Sequence, residues 1–122
     1  MIENFTKLVS CLFHSRTQVH VFHLQTNSYA EHKALNEYYD EIVDLTDGLI
    51  ETFQGKYGIL VDYSNLPLQN YQDNMQVVTY FIQLAELVHV MREDFEDSYL
   101  QNQIDNVVEL IESTKYKLRF LS

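Results

Sequence analysis

Only one proline, Pro67, and three glycines punctuate the 122 residues of this chain, so little in it can stop a helix once one has begun. Apolar residues recur at three- and four-residue steps on both sides of that proline, which is the signature of helices with one buried face. The first predicted helix, α1, spans about residues 3–26 on Phe5, Leu8, Val9, Leu12, Phe13, Val19, His20 and His23. Ser28-Tyr-Ala-Glu31 is a capping box and opens α2, which carries Leu35, Tyr39, Ile42, Val43, Leu49, Ile50 and Phe53. Gly55 should end it at about residue 54 by supplying a left-handed turn. Residues 56 to about 71 lose the helical period and contain Pro67. Beyond them α3, about 72–95, is built on Val77, Val78, Phe81, Leu84, Ala85, Val88, Met91 and Phe95. Ser98-Tyr-Leu-Gln101 offers a second capping box for α4, about 99–120, on Leu100, Ile104, Val107, Val108, Ile111, Leu118 and Leu121.

A short turn makes α1 and α2 antiparallel neighbours, and another does the same for α3 and α4. The long segment between the pairs can carry the chain from one end of a bundle back to the other. The expected fold is therefore one all-α domain over residues 1–122, a ferritin-like four-helix bundle of two antiparallel hairpins joined by a long α2–α3 crossover. Hydrophobic residues make up 46% of the chain, with nine tyrosines and seven phenylalanines, enough for one sizeable core. A formal charge of −10 repels a phosphate backbone, and the eight basic residues do not cluster. The single cysteine, Cys11, suits a reducing compartment and reads as packing. No stretch approaches the length and apolarity of a signal sequence or a membrane span, so the expected setting is soluble and cytoplasmic.

Four of the five histidines fall within residues 14–32. One histidine near a helix end is most simply a hydrogen-bonded, half-buried side chain. Here, however, His20 and His32 can approach the same end of the α1–α2 hairpin. Imidazoles converging with carboxylates suit a transition metal such as iron, manganese or zinc. Asp47 and Glu51, four residues apart, project from one face of α2, where two like charges repel unless a cation joins them.

The order His20, His32 twelve residues later, Asp47 fifteen after that and Glu51 four further on lies in the segment HVFHLQTNSYAEHKALNEYYDEIVDLTDGLIETFQG. This stretch resembles the Dps-like mini-ferritins, clearly over about residues 18–55 and at the level of helix pattern over 72–120. In that family two histidines, an aspartate and a glutamate in this order build a ferroxidase centre. The resemblance implies an iron-binding, iron-storing and iron-detoxifying subunit that oxidises Fe(II), with hydrogen peroxide as oxidant, inside a hollow dodecamer that protects against oxidative stress. His20, His32, Asp47 and Glu51 are then the catalytic and metal-binding residues, with His23, Asn36 and Asp44 as accessory candidates.

Helix geometry adds a condition of its own. At about 1.5 Å rise per residue, His32 and Asp47 on one straight helix stand about 22 Å apart. One chain cannot close such a site. Two copies paired antiparallel along α2 would bring His20 and His32 of one protomer to Asp47 and Glu51 of its partner, making two equivalent sites about a dyad. A homo-oligomer is thus expected, at least a two-fold dimer.

The chain departs from the family pattern at several points. Asn36 stands where the family often has an acid that helps hold a second iron, and Val21 follows the first histidine where an aromatic is common, leaving Phe22, Tyr38 and Tyr39 as candidates for an electron sink. There is no Lys-rich tail, so no direct nucleic-acid binding is expected. Other motifs are weaker. Glu86-Leu-Val-His89 is a Glu-x-x-His element without the second copy that single-chain di-iron bundles need. A zinc site on His20, His23 and His32 would lack cysteine. The acidic run Glu93-Asp94-Phe95-Glu96-Asp97 reads as a solvated helix end. The rival class is a non-catalytic, ferritin-like structural or protein-interaction module with a degenerate metal site.

Overall fold

A computed structural model describes all residues, 1–122. Four helices form: α1 Ile2–Gln25, α2 Tyr29–Tyr57, α3 Asn74–Arg92 and α4 Ser98–Phe120. They pack as a bundle in which α1 lies on α2, α2 on α4, α4 on α3 and α3 on α1. One core runs through it, with Phe5, Leu12, Phe22, Leu35, Phe53, Phe81, Ile104 and Ile111 among its buried side chains. The expected all-α bundle with a long crossover is what the chain adopts, and no helix is long and apolar enough to cross a membrane.

Residues 58–73 contain no helix and form a strap laid along α1. Side chains of α1 hold its main chain. Ser10 Oγ accepts from Ser64 N–H at 2.9 Å, His14 Nε2 meets Pro67 O at 2.8 Å, Gln18 bonds both N–H and C=O of Gln69, and Gln25 Oε1 accepts from Tyr71 N–H at 2.7 Å. The contacts advance in step on both segments, so the strap runs parallel to α1 and returns the chain to the end where α2 began. Consequently α2 and α3 run in the same direction, and α1 and α4 run opposite to them.

The first cap forms as the sequence suggests, with Ser28 Oγ accepting from Glu31 N–H at 3.1 Å. The other half of the box is replaced. Thr26 Oγ1 accepts from Ser28 N–H and donates to Glu31 Oε1 at 2.6 Å, and Asn74 Nδ2 donates to Glu31 Oε2 at 2.5 Å and to Leu118 O at 3.2 Å. Glu31, only 4% exposed, therefore ties the end of α1 and the start of α2 to the start of α3 and the end of α4.

Three expectations are corrected. First, α2 passes through Gly55 and ends at Gly58, whose φ of 101° is the left-handed turn expected three residues earlier. The last turn is held because Tyr57 packs on Phe53 and donates to Asp97, while Gln54 Oε1 accepts from Leu60 N–H. Gly58→Ala is expected to lower stability by about 1–2 kcal/mol. Gly55→Ala, at a helical and exposed position with open space around a Cβ, should instead raise it by about 0.5–1 kcal/mol. Urea midpoints check both, and equal signs would contradict this helix end.

Second, the Ser98–Gln101 box does not form. Asp97 is the N-cap, its carboxylate engaged by Lys56 and Tyr57, and Gln101 Nε2 donates to Phe95 O. Third, α3 is shorter than its period. Asp73 caps it by accepting from Gln76 N–H, and it stops at Arg92 so that Phe95 can turn under the bundle against Phe5 and Phe53. Of the residues assigned to core faces, Phe13, Val43 and Leu121 are exposed. Phe13 packs on Tyr63 of the strap, with ring centroids 5.7 Å apart.

Candidate metal centre

The α1–α2 turn is short, so residues equally far from it face each other across the hairpin. His23 and His32 are such a pair. His23 Nδ1 lies 2.7 Å from His32 O, and His32 Nδ1 lies 2.8 Å from His23 O. A carbonyl can only accept, so both rings carry a proton on Nδ1, and neither Nε2 makes a hydrogen bond within the chain. The rings stack at 3.7 Å between centroids, inclined by 17°. An N–H donated to a backbone carbonyl is how proteins commonly orient a metal-binding imidazole.

His20, one turn before His23, lies flat on Tyr39 of α2, with centroids 4.3 Å apart and planes 15° from parallel. Its ring is 5.8 Å from that of His23. Burial in this stack, then the Arg16 guanidinium and the His23 ring, push the His20 imidazole below its ordinary pKa, against a weaker upward pull from Asp40. A neutral ring is the form that can coordinate a metal. Tyr39 donates to Asn36 Oδ1 at 2.7 Å, and Asn36 Nδ2 donates to Asp40 Oδ2 at 2.9 Å.

The acidic half of the set lies elsewhere. Asp44, Asp47 and Glu51 are exposed and form no ion pair within the chain. Asp47 and Glu51 lie four to five turns down α2 from His32, on the same outward stripe as Asn36, Asp40 and Val43. The fold gathers His20, His23 and His32 at one end and leaves Asp47 and Glu51 at a distance. Within one protomer no three histidine, cysteine, aspartate or glutamate side chains converge as metal ligands.

Other candidates resolve into structure. His14 bridges Tyr80, at 2.9 Å, and Pro67, at 2.8 Å, fastening the strap to α1 and α3. Glu86 and His89 are exposed. Burial pushes the Cys11 thiol up, away from reactivity. Tyr38 is fully buried beside Ser15, at 2.7 Å. The sequence-level signal missed was the mirror placement of His23 and His32 about residues 27 and 28, which makes His23 an integral member of the cluster.

Against known families, residues 23–118 match one described as a family of unknown function (DUF5856), and the chain belongs to it. No curated protein and no solved structure matches the chain.

Proposed function

We propose, taking that membership as a premise that assigns no activity, that this chain binds ferrous iron at sites shared by two protomers and oxidises it. The reading rests on the residues and their placement. A four-helix bundle with one long crossover is the arrangement used by ferritin-like proteins, and the order His20, His32, Asp47, Glu51 resembles the mini-ferritin set. The single observation that carries it is the His23–His32 pair, which fixes His32 with Nε2 free at one end of an exposed stripe that holds Asp47 and Glu51 at the other.

In this reading an antiparallel partner brings its Asp47 and Glu51 to His20 and His32. The carboxylates offset the charge of Fe(II), and the neutral imidazoles complete its coordination. Hydrogen peroxide is the oxidant that the mini-ferritin resemblance implies. Two ferrous ions each give one electron to a peroxide, which takes up two protons and leaves as two waters. A cage of such dimers, with ferric mineral nucleating on acidic inner surface, extends the same resemblance; zinc or manganese would suit the donor set as alternatives to iron.

Anaerobic ferrous titration combined with native mass measurement tests the proposal. Wild type should bind iron as an even-numbered oligomer, while His32→Ala and Glu51→Ala each weaken binding by about tenfold or more. A monomer, or binding indifferent to both changes, would remove the proposal. One observation favours a second reading, a structural module without turnover: His23 and His32 already hold the hairpin together. In that case His32→Ala should lower stability and Glu51→Ala should change neither stability nor iron binding.

A further inference from the structure

We propose that the cleft between the strap and the N-terminal half of α1 docks a second copy of this chain about a two-fold axis. The cleft has a volume of about 710 Å³, with Ile2 and Ser10 on the α1 side and Ile59, Val61 and Leu66 on the strap side. At its rim Ile59 is 75% exposed, and Val61, at 86%, is the most exposed large apolar side chain in the protein. Phe13, packed on Tyr63, continues the apolar surface. Contiguous apolar surface of this kind marks an interaction site.

The occupant follows from what the patch itself contains. An isologous contact requires a surface that carries both halves of its own complement. Here an apolar ridge stands beside a cleft. One cation, Lys7, shares that cleft with two acids, Glu3 and Asp62. None of the three makes an ion pair within the chain. Two copies of a protein with a formal charge of −10 repel over most of their surface. About a dyad on this patch, each Lys7 faces the partner's acids while Ile59 and Val61 of each copy enter the other's cleft. The pairing does not depend on metal and stands apart from the iron proposal.

Sedimentation equilibrium across a concentration series, with chelator present throughout, tests it separately from iron binding. Wild type should self-associate. Val61→Asp should weaken that association about a hundredfold or more, since the lost contact occurs twice in the pair. Lys7→Glu should weaken it about tenfold, and adding Glu3→Lys and Asp62→Lys, which reverses all three charges, should restore it. Circular dichroism confirms that each variant keeps its helices. A wild type that stays monomeric, a Val61→Asp variant that associates as wild type does, or a charge reversal that restores nothing would each overturn the proposal.

Discussion

Phe53→Ala is expected to cost about 3–5 kcal/mol of folding stability. Phe53 is fully buried and stacks on Phe5 with ring centroids 3.8 Å apart and planes 6° from parallel. Phe95 meets both rings edge-on, at 5.6 Å to Phe5 and 6.3 Å to Phe53, and Tyr57 adds a fourth ring at 4.8 Å. The cluster joins α1, α2 and the α3–α4 turn, so its neighbours belong to three separate segments that cannot close over the vacated space together. A large cavity term should therefore add to the lost transfer energy. Urea denaturation should show a lower midpoint with an unchanged slope. A loss under about 1.5 kcal/mol would mean that the segments collapse onto one another and that the cluster is not a rigid joint.

Glu31→Ala should be nearly as damaging, at about 3 kcal/mol, for a different reason. The carboxylate of Glu31, a residue only 4% exposed, takes hydrogen bonds from the Thr26 hydroxyl and the Asn74 amide. Truncation removes both bonds, and hydrogen bonds to a charged group are among the stronger kind. Glu31→Gln keeps the shape and one acceptor oxygen, so it should lose about half as much. A Glu31→Gln variant as stable as the wild type, read from urea midpoints, would show that burial of the side chain rather than its bonding matters here.

How legible this was in the sequence depends on the range of the forces involved. Helix existence rests on spacing that any window displays, and the four helices follow from it. The Ser28 cap is equally local. Helix ends were less readable where a distant partner decides them. Gly55 and Gly58 are both able to stop α2, and the choice falls to Tyr57 reaching Asp97 some forty residues away. Asp97 and Ser98 are both good caps by type, but Asp97 holds the N-cap position with its carboxylate turned to Lys56 and Tyr57 and away from the helix. Phe13 has the spacing of a core residue, but the strap meets it on the outside of α1. At the candidate site the residue types and their order stood in plain view, and so did the distance that prevents one chain from joining them. The hydrogen-bonded histidine pair was visible only as a symmetry about a turn.

The bonds that fasten the strap divide the burden of substitution unequally. On the α1 side the partners are the side chains of Ser10, His14, Gln18 and Gln25, whereas on the strap they are main-chain groups of Ser64, Pro67, Gln69 and Tyr71. Main chain is common to every amino acid, and only proline at 64, 69 or 71 would remove a donor. Apart from those that pack on the bundle, Leu60, Tyr63 and Tyr71 among them, the strap's side chains are thereby left freer to vary, while the helix beneath keeps its four polar letters.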